Sequence, residues 1–405
     1  MEPRDIRIEF LSAMAGALSR FGLNADATER GLRAAAAALD LRAEFHVTPT
    51  SIMASFGVPG RQRVVLLRTH EATIDLQSLS LVTGVLDGVI ARDLTAEQAH
   101  AELNLITRSP LRFPWFMAVF ASGVGAASFD LLLSGHWIEA AVAAEVGLAI
   151  GVLIVLGRRY ARLARLTELL AGLLATVLAL GAAHILPEVR PASVSLASVI
   201  LLLPGLGITL GVAEIAARHL TAGTARLAGA MMTLLNLSIG SFLGYKIMSE
   251  LGLVPDTGPP GDPATLWMLV AAAGLSSVAL LIATNSRPAD LWLVAVSVAV
   301  ALVGARFGAW LLGATLGVAL ASLGLGLWSN AYARLSRRPA ALALLPGLAV
   351  LVPGSLGQRG VTAALMGASA GIDLLGAALV IAAGLVVGLL VADATLAPAG
   401  GYDDG

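Results

Sequence analysis

Leu203-Pro204-Gly205-Leu206 and Leu351-Val352-Pro353-Gly354-Ser355 each lie inside a hydrophobic run. Proline removes a backbone donor and clashes with the preceding turn, and glycine loosens what remains, so each motif interrupts a helix. In lipid every backbone polar group has to be satisfied internally. Irregular backbone therefore survives at membrane depth only where it is buried in protein or lines a polar cavity. Breaks at matching positions of two halves are the sequence mark of a carrier's binding site. The expected fold is a polytopic α-helical membrane protein of about ten helices, arranged as a 5+5 inverted repeat, with a small soluble α+β domain at the amino terminus.

Composition agrees with that class. Of the 405 residues 57% are hydrophobic and 13% charged, against about 25% charged in a soluble protein, and the mean hydropathy is +0.83. Charge is concentrated in the head: 25 of the 53 formal charges fall in residues 1–112. A net charge of −1 gives no basic field for nucleic acid. Without cysteine there is no disulfide frame, thiol nucleophile or Cys-based metal site, and no motif calls for a cofactor. Residues 1–20, with Glu2, Asp5 and Glu9 near the start and no sustained apolar run, are not expected to act as a secretory leader. Leu11, Met14, Leu18 and Phe21 instead fall at helical spacing, which suits a helix packed on the head or one lying on a membrane surface.

The head, residues 1–112, reads as a helix from Asp26 to about Leu39. Three short strands follow (43–47, 51–56 and 63–67), then helices over 76–90 and 95–106, the last entered by the capping box Thr95-Ala-Glu-Gln98. Ser51, His70 and Asp75 assemble into a hydrolytic triad only on paper, because no Gly-x-Ser-x-Gly elbow surrounds Ser51. His46, His70 and His100 lack ligand spacing. No enzyme is expected.

Apolar windows long enough to span lie near 114–133, 137–156, 168–186, 194–213, 227–248, 265–284, 290–305, 308–328, 341–357 and 372–393. The seventh and ninth are short, and the ninth reads as spanning or re-entrant. With the head inside, inner loops carry ten Arg, whereas the outer ones carry Arg190, Lys246, Arg306 and Arg359. That asymmetry places both termini in the cytoplasm. The chain divides into the head, a first five-helix repeat (113–253), an external linker (254–263), a second repeat (264–395) and a flexible tail (396–405). An odd repeat must insert inverted, and the Pro-Gly breaks then occupy the fourth span of each half. Gly205 is followed 18 residues on by Gly223 in Thr221-Ala222-Gly223, and Gly354 is followed 17 on by Gly371 in Ser369-Ala370-Gly371. Leu345-Pro346-Gly347 is a competing break that fits this spacing less well.

Intramembrane polar residues are costly and face a cavity or a partner helix. Asp130, Glu145, Glu214, Asn236, Ser238 and Asp373 are the candidates. A carboxylate here either hydrogen-bonds a neighbouring helix or takes part in transport as proton acceptor or counter-charge.

The stretches Leu-Pro-Gly-Leu-Gly-Ile-Thr-Leu (203–210), Ala-Ala-Arg-His-Leu-Thr-Ala-Gly-Thr-Ala-Arg (216–226) and Leu-Val-Pro-Gly-Ser-Leu-Gly-Gln-Arg-Gly (351–360) resemble the threonine/serine exporter family. Two head stretches, 39–50 and 94–99, resemble its amino-terminal domain, and the likeness runs from about residue 20 to 395. It implies a multi-pass carrier of the bacterial inner membrane that exports threonine, serine and related small solutes by proton antiport. A passive channel, or a carrier of another small polar metabolite, is the alternative. The resemblance implies that other members often carry Asp where His219 stands here. The partners expected are a small amino acid, protons and the lipid bilayer, and the sequence is compatible with a homo-oligomer. The residues expected to shape the substrate site are Pro204, Gly205, Thr209, Asn236, Ser238, Pro353, Gly354 and Ser355. Asp130, Glu214 and Asp373 are expected to couple protons, and Arg359 to fix the second motif's loop.

Overall fold

The computed structural model describes residues 5–58, 60–69, 74–255 and 265–397. The 254–263 linker and the 396–405 tail lie almost wholly outside them, as does His70.

Four helices, α1 (Ile6–Arg20), α2 (Ala25–Ala38), α3 (Leu76–Ile90) and α4 (Ala96–Arg108), pack with a three-stranded antiparallel sheet. The sheet order is β1 (Ala43–Val47), β2 (Ser51–Phe56), β3 (Arg63–Arg68). Alternation decides which sheet face is covered: Phe45, Val47, Ile52, Ala54 and Phe56 are buried, and Phe45 pairs with Ala54 in register. The capping box forms, with Gln98 N–H donating to Thr95 Oγ1 at 3.4 Å and Thr95 N–H to Gln98 Oε1 at 3.1 Å. The α1 stripe turns inward, because Leu11, Met14 and Leu18 are fully buried in the head core. Asp75 caps α3, accepting from Ser78 N–H at 2.9 Å and Ser78 Oγ at 2.8 Å. Its carboxylate is occupied with structure.

Asp5 caps α1 by accepting from the Arg7 amide at 3.0 Å. The side-chain hydrogen bond from Arg7 holds its carboxyl below the ordinary 3.8. A lowered value means the contribution is present above pH 4 and is lost as pH falls through the folded-state value. Replacing Asp5 with Ala is expected to cost about 0.5–2 kcal/mol of head stability at neutral pH. Denaturant unfolding at pH 7 and pH 3 should show a smaller difference at the lower pH.

Beyond the head come α5 (Trp115–Ser134), α6 (Trp137–Arg159), the short α7 (Ala161–Ala164), α8 (Thr167–Ile185), α9 (Pro191–Ser198), α10 (Gly205–Ala216) and α11 (Leu220–Glu250). They are followed by α12 (Leu266–Ala283), α13 (Leu291–Ser336), α14 (Ala341–Leu351), α15 (Gly354–Leu365) and α16 (Ala370–Thr395). Among the described residues eight helices are long and apolar enough to cross a membrane, or nine when the bent α9–α10 pair counts as one span. One of the eight is double. Within α13, Gly313 leaves helical geometry at φ 81°, ψ 163°, and the chain folds back so that Gly308 meets the Gly317 backbone. The arms 291–312 and 314–336 are each about 33 Å long at 1.5 Å per residue, enough to cross a bilayer. This arrangement is consistent with ten crossings.

The helices outrun the apolar windows, and this corrects the loop reading. Arg226, Lys246, Arg306 and Arg359 all lie within helices, and the turn between the seventh and eighth windows sits at Gly313. The ninth window extends through α14 and α15 to Leu365. Pro346 is carried inside α14 without ending it, and the break falls at Val352-Pro353.

The head is not a tethered appendage. Its core runs without interruption into Ala222, Leu293, Tyr332, Leu342, Ala343 and Leu345 at the near end of the helical bundle. Leu76 N–H donates to Thr284 O at 2.9 Å and Arg112 N–H to Asn285 Oδ1 at 3.1 Å. Asp290, almost fully buried, accepts from both Arg338 Nη atoms at 2.7 and 2.8 Å on the same face.

Candidate functional site

Both breaks have one local cause. The residue before proline is driven out of the helical region. Leu203 is accordingly extended at φ −66°, ψ 127°, and Val352 at φ −67°, ψ 144°. Pro204 and Pro353 then cap new half-helices that begin at Gly205 and Gly354, and neither cap supplies a side-chain acceptor. From this point α10 runs toward the head, whereas α15 runs to the far side of the bundle.

The two half-helix N-termini meet. A Cβ built on Gly354 would stand 3.1 Å from Gly205 N and 3.2 Å from Gly205 Cα, and one on Gly205 would run into the Val352 side chain. Only glycine at both positions lets the backbones come this close. The first amides of each half-helix have no intrahelical acceptor, and the positive ends of both helix dipoles converge here. Such an arrangement suits a carboxylate.

The packing that supports the crossing recurs in both halves. Gly211 and Gly223 face one another between α10 and α11, and Gly360 and Gly371 do the same between α15 and α16. Gly223 and Gly371 are the glycines of the two -Ala-Gly motifs.

A cavity lies on either side of the crossing. The head-side one, about 210 Å³, touches Leu203, Val352, Gly354 and Ser355 and extends to Ile74 and Thr284. The far-side one, about 630 Å³, is lined by Arg190, Ser241, Tyr245, Gln358 and Arg359 among others.

Of the residues expected at the site, Pro204, Gly205, Pro353, Gly354 and Ser355 come together. Thr209 and Ser238 are completely buried. Thr209 Oγ1 has no partner, and Ser238 Oγ donates to Gln358 O at 3.4 Å. Asn236, two residues from Ser238 on α11, points elsewhere and is half-buried. Asp130 lies apart from the crossing, toward the far end of α5. It is fully buried, with Ser134 Oγ donating to Oδ2 at 2.7 Å while Oδ1 has no partner. Asp373 is exposed in the first turn of α16, and Glu145 is exposed on the outside of α6.

Glu214 belongs to a different assembly. It is buried, and Arg226 Nη2 and Nε donate to its two oxygens at 2.8 and 3.0 Å. The Ala25 amide, opening α2 of the head, donates to the same carboxylate at 3.4 Å. Beside it, His219 Nε2 is 3.4 Å from Asp26 Oδ1, and Nδ1 is 3.8 Å from Glu29 Oε1. The α10–α11 end is thus a docking point for the head.

Sequence reasoning passed over several groups. Buried Glu139 pairs with partly exposed Arg190 at 2.9 Å, and Ser193 Oγ donates to Glu139 at 3.0 Å. Arg190 Nη2 also donates to Ser134 O at 2.9 Å, which ties the pair to the residue holding Asp130. Gln358, four residues past Gly354, stands where Thr209 stands past Gly205. Aligning the two halves on their Pro-Gly motifs finds it. No single-sequence signal marks the partner of a lone arginine two elements away.

A family model described as "Putative threonine/serine exporter" matches residues 9–248. An uncharacterized protein of Schizosaccharomyces pombe is 26% identical over 91% of this chain and 49% of its own length. A "Probable threonine/serine exporter" of Mycobacterium tuberculosis is 22% identical over 74% of this chain and 60% of its own. A "Pheromone-regulated membrane protein 10" of Debaryomyces hansenii is 26% identical over 60% of this chain and 24% of its own. The chain spans about half the length of the S. pombe relatives it matches. No solved structure matches it.

Proposed function

The chain belongs to the threonine/serine exporter family, and on that premise we propose that it is a secondary carrier exporting small amino acids of the threonine/serine type by proton antiport. The observation that carries this reading is the meeting of two half-helix N-termini between two cavities. A zwitterionic solute presents its carboxylate to the free amides at Gly205 and Gly354. A hydroxylated side chain finds Ser355 on the head side. The halves form an inverted repeat, and rocking one against the other about the Pro-Gly crossing exposes the solute to each cavity in turn. The membrane is the bacterial inner membrane, and the head faces the cytoplasm.

Asp130 is the proton carrier in this scheme. Its unpartnered Oδ1 is buried, and Ser134 links it to Arg190 at the far-side cavity. A carboxyl so placed takes up and releases a proton with a small change in its neighbours. Proteoliposomes loaded with labelled threonine or serine should show efflux stimulated by an inward proton gradient. Asp130→Asn should remove at least about tenfold of the stimulation, equivalent to roughly 1.4 kcal/mol of coupling. Equal flux with and without the gradient would identify a passive pore instead.

A further inference from the structure

Resting on this carrier reading, we propose that the far-side cavity is a second recognition site for an α-amino acid zwitterion, in which Arg359 receives the carboxylate and Gln358 Oε1 the ammonium group. Arg359 occupies the second turn of α15, about 7 Å beyond the crossing at 1.5 Å per residue, and its side chain reaches the cavity. A guanidinium at such depth is costly unless it is paired or faces water or ligand, and Arg359 is exposed, so its charge stays solvated and free to meet a solute. The more buried arginines follow that rule: Arg190 pairs with Glu139, Arg226 with Glu214 and Arg338 with Asp290. Among the described residues Arg359 has no acidic partner.

Gln358 is 4% exposed, lines the same cavity and has an Oε1 with no donor. Leaving a buried acceptor unsatisfied costs about 1–3 kcal/mol, which an ammonium group in the cavity removes once the Gln358 side chain turns Oε1 toward it. One free cation beside one free acceptor matches a zwitterion better than a polyanion, since Arg190 is already neutralised by Glu139. Leu180, Leu196 and Leu374 supply an apolar wall, so the site takes aliphatic as well as hydroxylated side chains. The corresponding position in the first half is Leu210. The head-side half-helix therefore offers no such cation, and the two faces of the carrier bind the solute by different means.

The chain lacks cysteine, so Thr362→Cys on the cavity wall gives a single reporter in the full-length protein. In reconstituted vesicles a membrane-impermeant maleimide should label it, and threonine should slow the labelling, whereas threonine amide, without a carboxylate, should not. Arg359→Gln should weaken this protection at least about tenfold, the scale of a lost charge-assisted hydrogen bond, and Arg359→Lys should restore part of it. Continued labelling in each variant shows that the cavity has kept its fold. Undiminished protection in Arg359→Gln, or equal protection by threonine amide, would overturn the site. Labelling needs no transport, so the two readings fail separately: protection without gradient-driven flux removes the antiport, and flux without protection removes this site.

Discussion

A Gly354→Ala substitution should abolish transport while the protein still inserts. The added Cβ has to sit 3.1 Å from Gly205 N and 3.2 Å from its Cα, tighter than ordinary contact, and the obstacle is backbone, which has no rotamer to change. Overpacking of this kind costs about 1–3 kcal/mol, and the crossing relieves it only by moving the half-helix termini apart. Gly205→Ala meets a different obstacle, the side chain of Val352. Val352→Ala removes the nearest contact, Cγ2, but leaves Val352 Cβ at 2.8 Å and Gly354 N at 3.2 Å, so combining the two should recover only part of the lost flux, whereas no side-chain truncation clears the backbone that Gly354→Ala meets. Flux through Gly354→Ala at the wild-type rate would mean that the crossing is not where the solute is held. The same substitutions at Gly274 or Gly376, where an added Cβ meets nothing within 4 Å, are the control.

The second large effect is on stability. Glu214→Ala strands Arg226, whose side chain is only 21% exposed. Removing one partner of a buried ion pair typically costs about 3–5 kcal/mol, and the fifth of Arg226 that reaches solvent favours the lower end. The same change withdraws the acceptor of the Ala25 amide, so the head should also loosen, detectable as faster proteolysis between α1 and α4. The double variant Glu214→Ala/Arg226→Leu removes the stranded charge and should regain most of the thermal stability. A proton-carrying role for Glu214 predicts the opposite pattern: Glu214→Gln would then lose gradient dependence with no change in unfolding. The double cycle measured by both unfolding and flux separates the two.

The Pro-Gly motifs were legible because proline acts on its own backbone and on the residue before it. Leu203 and Val352 are extended for a reason that requires no tertiary contact. The capping box at Thr95 and the alternation in 51–56 were legible for the same reason. The turn at Gly313 was not, because a lone glycine in an apolar run commits the chain to nothing until Gly308 and Gly317 pack against each other. Glu214 shows the limit most clearly. Its position at the end of an apolar helix is written in the chain, but whether it carries a proton or holds the head turns on Arg226 and Ala25 lying beside it.

Local chemistry alone settled that this is a membrane protein with a small α+β head, that two of its helices are broken, and that the breaks fall at Pro204 and Pro353. All of these follow from hydropathy, periodicity and proline geometry within a few residues. Folding in three dimensions decided that the two breaks touch, that Arg359 faces a cavity while Arg190, Arg226 and Arg338 are neutralised, and that the head shares its core with the helices. These depend on which residues distant in the chain come within a few ångströms of one another, and packing of the whole chain selects those partners where short-range preference cannot.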